Sequence, residues 1–317
     1  MLAGGRSSEH DVSLRSGAAV AQGLRQAGHE PVAVTISRGG EWSCAGATVE
    51  LTPGAGLLGA DAAFPALHGP FGEDGSIQGL LEWLDIPYVG SDVLASAVCM
   101  DKLTLKRLFA AHDVPQVEFT AVEGPDWWGR CERLGLPLWV KPSRLGSSVG
   151  ITRVDDLDQL DEAVEMALRH DPRVIVEASA RGREVECSVL GNSEPEASLP
   201  GEIVAHADWY DFEAKYTEGG MELRVPAPIP EQAATRVREL AVEVFALAGC
   251  SGLARCDFFV ESDGAVLVNE INTMPGFTET SVYAKLLEAG GIGYADLCDR
   301  LVELAIERHR GARSYEF

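Results

Sequence analysis

The stretch from Gly252 to Gly276 carries a strong hairpin signal and closely spaced charged residues. Two runs of alternating apolar residues flank Asp263 and Gly264, and Asp-Gly between such runs is typical of a tight turn. If these two residues form the loop, the residues on either side pair outward in a fixed register. The sequence therefore predicts which side chains face each other across the hairpin.

That register places Asp257 opposite Glu270 and Arg255 opposite Asn272, and all four side chains share one face because strand residues alternate. Two carboxylates facing each other repel unless a cation lies between them. Asp257, Glu270 and Asn272 are hard oxygen donors, which suit magnesium, and magnesium usually binds together with phosphates. The face therefore indicates a metal site. The alternative is a solvated polar face on a half-exposed hairpin.

Charge and cysteine usage narrow the class of protein. The 317 residues include 49 acidic and 26 basic ones, for a net charge of -23, which disfavours binding to nucleic acid or anionic membranes. The seven cysteines are scattered and form no CxxC pair, which is typical of reduced thiols. No apolar run has membrane-spanning length, and no signal peptide is recognisable. We therefore expect a cytoplasmic protein that binds neither nucleic acid nor membrane.

The chain up to about Ser91 alternates strand and helix signals, which predicts a parallel, doubly wound sheet with ligands at the strand ends. The predicted elements are a strand end at 1–3, a helix at 13–26, and strands at 32–36 and 62–67. Polar loops follow two of these strands, at 4–10 and 68–76. In them, Glu9 is a candidate ligand for an ammonium group. His68 is either a hydrogen-bonded turn histidine or a catalytic one.

The next part, from about 92 to 178, contains a glycine-serine turn at 146–150. Such a turn offers amides and hydroxyls to an anion, and Lys102 and Lys141 are candidates for binding phosphates. The sequence GxxxxGK[ST] does not occur, so this is not a P-loop. A plain turn is the alternative. The predicted elements around it are a helix at 101–112, strands at 138–141 and 151–154, and a helix at 156–170.

A short strand at 174–177 leads through a hinge at 178–182 into the last part of the chain. The loop at 207–216 mixes four aromatic residues with charges, so we interpret it as a lid over a site. The other predicted elements are a strand at 184–190 and helices at 230–248 and 294–309. The first of these helices should pack behind the hairpin.

Eight blocks in this order resemble the D-alanine-D-alanine ligases of the ATP-grasp superfamily, over essentially the whole chain. They are GGRSSEHDVSLRSG, HGPFGEDGSIQG, IPYVGSDVLASAVCMDK, VKPSRLGSSVG, GREVECSVLGN, YDFEAKY, LARCDFF and NEINTMPGFTETS. The resemblance implies an α/β fold with an N-terminal Rossmann-like domain (1–91), a central ATP-grasp domain (92–178) and a C-terminal one (179–317). It places ATP between the second and third domains, and the substrates where all three meet.

The reaction implied by the resemblance joins two D-alanines for peptidoglycan precursors. The carboxylate of one D-alanine takes the γ-phosphoryl group of ATP to give an acylphosphate, and the amine of the second attacks its carbonyl carbon. Both steps build negative charge on oxygen, so cationic stabilisation and positioning should carry most of the catalysis. The cofactors implied are ATP with two Mg²⁺ ions, which Mn²⁺ can replace, and a K⁺ ion that no residue here indicates. The implied assembly is a homodimer through the first domain.

The resemblance also assigns residues to each part of the site. The ligands of the two Mg²⁺ ions are Asp257, Glu270 and Asn272. The ATP site comprises Lys102, Lys141, Ser147, Ser148, Glu177, Ala180, Glu184 and Lys215. The residues at the D-alanine sites are Glu9, His68, Glu73, Arg255 and Ser281. Catalytic roles fall to Glu9, Ser147, Lys215, Tyr216, Arg255 and Gly276.

The lid residue Tyr216 bears on specificity, since a tyrosine there accompanies an amine as second substrate in this family. We therefore expect the dipeptide. An alternative is a ligase with another second substrate, such as D-serine or D-lactate, serving antibiotic biosynthesis or self-resistance. Another is a nucleotide-binding protein without activity, although such a protein has no need for Arg255 beside a metal site. The missing GxGxxG argues against a dinucleotide-dependent oxidoreductase.

Three features depart from the family pattern. Family members usually have several more residues at the start that complete the first strand. The hinge at 178–180 is composed of smaller residues than usual. Ala284 occupies a position where the family commonly has proline. The hinge bears on contacts to adenine, and Ala284 on the pocket for the second substrate.

Overall fold

The computed structural model describes residues 1–205 and 221–315. In these ranges the chain is an α/β protein with three sheets, one in each successive part of the sequence. Its described helices include none that is long and apolar enough to cross a membrane.

The first sheet has the order β1-β2-β3-β4. Its strands and the two helices of this part are β1 (Leu2–Gly4), α1 (His10–Gln26), β2 (Val34–Ile36), β3 (Trp42–Cys44), β4 (Ala47–Thr48) and α2 (Ser76–Leu84). Strands β1 and β2 pair in parallel, as predicted, whereas β3 and β4 add an antiparallel edge.

The strand predicted at 62–67 is wrong as a continuous element, because it forms only isolated parallel bridges, from Pro65 to Leu2 and from Ala63 to Tyr88. Proline has no backbone N–H to donate to a ladder, which limits regular pairing on that side. The segment still extends the parallel arrangement, since Ala66 N donates to Leu2 O at 3.0 Å. Its end therefore delivers the loop at 68–76 to the same edge as the loop at 4–10.

The second sheet is antiparallel, with the order β5-β8-β6-β7. The elements of this part are α3 (Val93–Met100), α4 (Lys102–Ala111), β5 (Phe119–Ala121), α5 (Trp127–Leu134), β6 (Leu138–Pro142), β7 (Thr152–Val154), a 3-10 turn (Leu157–Gln159), α6 (Leu160–Leu168) and β8 (Val174–Ala178). Asp101 caps α4 as predicted, because its Oδ1 accepts from Thr104 N at 3.0 Å.

The third sheet, also antiparallel, has the order β12-β11-β9-β13-β14, with β10 on β9. Its elements are β9 (Gly182–Gly191), β10 (Glu196–Ala197), β11 (Gly201–Ala205), β12 (Met221–Arg224), α7 (Glu231–Leu247), β13 (Gly252–Glu261), β14 (Val266–Asn272), α8 (Val282–Ala289) and α9 (Tyr294–Ala312). Helix α7 packs its buried residues behind β9, β13 and β14, as predicted. Helix α9 packs on α1, which joins the first and last parts of the chain.

The β13–β14 hairpin has the predicted pairing near its open end but a different loop. Glu261 N donates to Ala265 O at 2.8 Å, so the loop holds three residues, 262–264, rather than two. Gly264 takes the left-handed conformation (φ 89°) that a three-residue hairpin loop requires. A bulge at Asn269 shifts the register back by one residue. The two irregularities compensate, and Asp257 faces Glu270 as predicted.

Candidate active site

The polar face of the hairpin is held together by Arg255. Arg255 Nε donates to Asp257 Oδ1, and Arg255 Nη2 donates to Asp257 Oδ2, both at 2.7 Å. Asn272 Nδ2 donates to the same Oδ2 at 3.0 Å. Strand alternation accounts for this, since Cys256 between the two charged residues points into the core. The predicted grouping of polar side chains on one face is confirmed.

The neighbouring strand adds Glu186, a residue the sequence analysis missed. It pairs with Asp257 in the β9–β13 ladder, and its Oε2 lies 2.9 Å from Arg255 Nε. Burial disfavours the charged guanidinium, but the carboxylates of Asp257 and Glu186 outweigh it and raise the pKa of Arg255 well above its usual value. Glu186 could have been found from the sequence, because it lies two residues after Glu184 and therefore on the same face of a predicted strand.

The donor set on this face fits magnesium. Asp257, Glu270 and Asn272 offer oxygen ligands, and the Asn272 amide directs its nitrogen at Asp257, which leaves its oxygen for a cation. Three carboxylates, those of Glu186, Asp257 and Glu270, face two basic side chains, Arg255 and Lys102. The face therefore has an excess of negative charge. Within 1–205 and 221–315, no three His, Cys, Asp or Glu residues are grouped so that they could hold a metal ion. The predicted ligand set has only two such residues, Asp257 and Glu270, because its third member is the amide Asn272.

Lys102 joins the second part of the chain to this face. It begins α4, and its Nζ lies 3.2 Å from Glu270 Oε2 and donates to Leu145 O at 2.9 Å. The lysine thus lies between the hairpin and the glycine-serine turn. This position supports the predicted role of Lys102 at the phosphates.

A buried ion cluster lies beside it, on strands β6 and β8. Glu177, with 3% of its side chain exposed, accepts from Lys141 Nζ at 2.5 Å and lies 3.1 Å from Lys106 Nζ. Burial opposes ionisation of the carboxyl, but the two lysines outweigh it and lower the pKa of Glu177 to about 2. Lys106 was missed from the sequence, although it lies one helical turn after Lys102 on the same side of α4.

The glycine-serine turn contacts the first part of the chain. Ser147 Oγ donates to Glu9 Oε1 at 2.5 Å, and Ser147 and Ser148 both have positive φ, 52° and 60°. Such a conformation turns successive backbone amides to one side, as in anion-binding loops. The contact brings together two residues that the sequence analysis assigned to the same site.

His68 lies in the interior between the first and last parts of the chain. One ring nitrogen is 2.8 Å from Ser16 Oγ and the other is 3.0 Å from Met274 O. Burial lowers the pKa of His68, so the ring is neutral near pH 7. Of the two interpretations offered above, these contacts favour a hydrogen-bonded histidine that holds two loops together.

Glu73 and Glu9 form a pair of acids next to that histidine. Gly69 N donates to Glu73 Oε1 at 2.7 Å, and a Cβ on Gly69 would lie only 2.4 Å from Glu9 Oε2, so glycine permits this close approach. Enclosure of the carboxyl, followed by repulsion from Glu9, raises the pKa of Glu73 to about 8. Among the described residues, the charge of Arg255 acts on Glu73 in the opposite direction but is outweighed.

The turn after the hairpin brings Gly276 next to Ser281. A Cβ on Gly276 would lie 3.4 Å from Ser281 Oγ, and that hydroxyl accepts from Thr278 N at 2.9 Å. Ser281 directly precedes α8, and Ala284 is buried within this helix, so alanine continues it without distortion. The turn is anchored to the first part of the chain, since Phe277 N donates to Ser16 Oγ at 3.4 Å.

The predicted hinge residues lie beside the ion cluster. Ala180 connects β8 to β9, and its neighbour Ser179 accepts from Trp139 Nε1 at 3.3 Å. Glu184 lies on β9 opposite Phe259, on the same side of the strand as Glu186. Two further predicted residues, Lys215 and Tyr216 of the lid, lie outside the described residues.

Almost the whole chain is similar to known D-alanine-D-alanine ligases. The family model "D-ala D-ala ligase N-terminus" matches residues 1–54 and 45–91, and "D-ala D-ala ligase C-terminus" matches residues 108–303. A D-alanine-D-alanine ligase of Deinococcus radiodurans is 46% identical, covering 97% of this chain and 98% of that protein. One from Solibacter usitatus is 44% identical over 98% of this chain and 95% of its own length.

Two solved structures are similar as well. The D-alanine-D-alanine ligase from Coxiella burnetii is 37% identical, with a TM-score of 0.89 over 99% of this chain and 94% of that one. The VanG D-Ala:D-Ser ligase from Enterococcus faecalis is 33% identical, with a TM-score of 0.85 over 96% of this chain and 98% of that one. The chain belongs to the D-alanine-D-alanine ligase family and has the ATP-grasp fold predicted from its sequence.

Proposed function

We propose that this protein uses ATP to join two D-alanines into D-alanyl-D-alanine for peptidoglycan precursors, releasing ADP and phosphate. The observation that carries the proposal is the convergence of three parts of the chain on one site. The Ser147–Glu9 hydrogen bond and the Lys102–Glu270 ion pair connect loops that are far apart in sequence. The names of the relatives and the matched family models support the same activity.

In the first step, a carboxylate oxygen of one D-alanine attacks the γ-phosphorus, and the bond to the bridging oxygen of ADP breaks. Glu9 and Glu73 bind the ammonium group of this D-alanine, since the two acids repel each other and a cation between them would relieve that repulsion. Lys102 and Lys141, with Lys215 of the lid, hold the phosphates, and Ser148, Ala180 and Glu184 complete the nucleotide site. Asp257, Glu270 and Asn272 would hold two Mg²⁺ ions, or Mn²⁺ in their place, and the metal would supply positive charge to the phosphates.

In the second step, the amine nitrogen of the other D-alanine attacks the acylphosphate carbon, the C–O bond to phosphate breaks and the nitrogen loses a proton. The guanidinium of Arg255 and the backbone N–H of Gly276 stabilise the negative oxygen of the tetrahedral intermediate. Ser281 binds the carboxylate of the incoming D-alanine. Ser147 and Tyr216 hold the lid shut with Glu9.

The proposed domains are 1–91, 92–178 and 179–317. Each range contains one of the three sheets, and the gap between the matched family models, 91 to 108, overlaps the first boundary. We further propose a cytoplasmic homodimer formed through the first domain. The exposed Trp83 of α2, with 74% of the residue accessible, supports such a surface. Light scattering at micromolar concentration tests the dimer, and a monomeric mass would contradict it.

The activity is tested by phosphate release with ATP, Mg²⁺ and D-alanine, with the product identified by mass. D-Serine, D-lactate and L-alanine are offered in parallel as second substrates, and K⁺ is varied. One D-alanyl-D-alanine for each phosphate is the expected result. A larger yield with D-serine or D-lactate would assign a different second substrate, and nucleotide binding without turnover on any acid would refute the proposal.

A further inference from the structure

Lys106 is the most deeply buried basic side chain among the described residues, with 1% exposure. It lies on α4 one turn after Lys102, and its Nζ is 3.1 Å from Glu177 Oε1 and 3.4 Å from Val117 O. The ring of Phe119 covers it, with its centroid 5.6 Å from Nζ. A charged lysine without solvent contact needs a reason, because burial of an ammonium group is unfavourable.

The two oxygens of Glu177 are divided between two lysines of different exposure. Lys106 contacts Oε1 from the interior, while Lys141 contacts Oε2 from the side of the site and keeps 14% of its side chain exposed. Lys141 is also close enough to Glu270 and Glu184 to feel their charges. Only Lys141 of the pair is therefore placed to turn towards a ligand.

A phosphate that attracts Lys141 would draw its ammonium group away from Glu177. A buried carboxylate that loses its only cation is strongly destabilised, and this cost would keep Lys141 at Glu177 and away from the phosphate. Lys106 removes this obstacle, since it stays with Glu177 and keeps the carboxylate paired.

We propose that Lys106 is a positioning residue that holds Glu177 ionised and thereby frees Lys141 for the nucleotide phosphates. The proposal rests on the nucleotide site proposed above. Lys106 acts through Glu177 and Lys141 and does not itself touch ATP. Its effect is confined to the nucleotide, because the pocket formed by Glu9, His68 and Glu73 contains none of these three residues.

The test compares Lys106→Met with the wild type and with Arg107→Met, a matched variant of the neighbouring residue, whose side chain is 49% exposed and pairs with Glu123. We expect Lys106→Met to raise the KM for ATP about tenfold, with kcat and the KM for D-alanine within about twofold. Arg107→Met should leave all three constants unchanged. An unchanged KM for ATP, or an equal rise in the KM for D-alanine, would overturn the proposal.

A second pair of variants distinguishes this role from a general loss of packing. In a Glu177→Gln background there is no buried carboxylate for Lys106 to keep paired, so adding Lys106→Met should change the KM for ATP by less than about twofold. A further rise as large as in the wild-type background would show that Lys106 acts by packing and would overturn the proposal. If Lys106→Met alone does not fold, the comparison of Glu177→Gln with the double variant still decides, since about a tenfold difference in the KM for ATP between these two would overturn the proposal.

Failure of the proposed ligase activity can be distinguished from failure of the role proposed for Lys106. It would appear as absence of dipeptide formation by the wild type, before any variant is made. In that case, binding of ADP to the same five proteins by calorimetry still tests Lys106, with about a tenfold weaker affinity expected for Lys106→Met.

Discussion

Two clusters of acidic residues in this protein contain the same kind of group but have opposite charge balance. Glu177 lies between Lys106 and Lys141, and these two cations lower its pKa to about 2 in spite of burial. Glu73 lies beside Glu9, and enclosure together with that second acid raises its pKa to about 8. Burial alone therefore does not decide the charge of a carboxyl group here. Its neighbours do.

The difference indicates what each cluster binds. The cluster around Glu177 has its own cations and a lysine to spare, which suits an anionic ligand such as a phosphate chain. Among the described residues, Arg255 acts on Glu73 but is outweighed by Glu9 and by enclosure, and the neutral His68 supplies no charge, which suits a ligand with an ammonium group. The hairpin face is intermediate, because Arg255 offsets part of the negative charge of Asp257 and Glu186. A single site thus holds regions for an anion and a cation side by side.

Arg255→Ala removes a cation from the acidic hairpin face and should have the largest effect. We expect turnover to fall about a thousandfold, because the cation that stabilises the tetrahedral oxygen is lost, while ADP binding stays nearly unchanged. Steady-state kinetics and calorimetry measure the two effects. Arg255→Lys keeps the charge and should recover part of the turnover, and Arg236→Ala on the exposed side of α7 is the matched control. Unchanged turnover in Arg255→Ala would refute the assigned role.

Glu9→Gln tests the acidic cluster directly. The KM for D-alanine should rise between about tenfold and a hundredfold, because hydrogen bonds to charged groups contribute about 1.5–3 kcal/mol, and the KM for ATP should stay constant. Asp11→Asn is the control, since that acid lies two residues on, is 77% exposed and pairs with Arg38. Equal changes in the two variants would mean that no ammonium group is bound at Glu9.

Glu73→Gln should change how stability depends on pH in the absence of substrate. The folded carboxyl keeps its proton up to about pH 8, whereas the unfolded one loses it near 4.5. The folded state therefore binds more protons in this window, and the free energy of unfolding falls as pH rises, by at most about 1.4 kcal/mol per pH unit. Glutamine cannot ionise, so the variant should lack this fall. Urea unfolding across the window measures it, and parallel curves for the two proteins would contradict the raised pKa.

Glu177 should show the opposite behaviour with pH. Its folded pKa lies below the ordinary value of 4.5, so its contribution to stability is present above about pH 4.5 and is lost as pH falls towards 2. The two clusters therefore affect stability in separate pH windows.

The sequence was sufficient for features that depend on local periodicity. The opposition of Asp257 and Glu270 follows from alternation along two strands, and the structure has it. The length of the loop was wrong by one residue, because the bulge at Asn269 depends on contacts outside the hairpin. Val268, next to it, donates to Pro115 O at 2.8 Å, and no count along the hairpin can predict that contact.

The buried charges were harder to predict, because they depend on partners distant in sequence. From the sequence, Lys106 is indistinguishable from a surface lysine of an amphipathic helix. Only the structure shows that Glu177 of β8 lies against it. Glu186 likewise depends on the pairing of β9 with β13. The sequence signals were two spacings: Lys106 is four residues after Lys102 on a helix, and Glu186 is two residues after Glu184 on a strand. Each spacing shows which face the residue lies on but does not identify the element that packs against that face.

Asp85→Ala should have the smallest effect, and it separates the role of burial from that of pairing. Asp85 resembles Glu177 in having two basic partners, Arg313 at 2.8 Å and His309 at 3.2 Å, but its side chain is 51% exposed. Hydrogen bonding to Arg313 lowers its pKa, yet solvent screens the pair, so we expect a loss in stability of less than about 1 kcal/mol that shrinks further with added salt. Urea unfolding at low and high salt measures it. A loss of several kcal/mol would mean that pairing matters at the surface as it does around Glu177, and that enclosure is not what distinguishes the buried clusters.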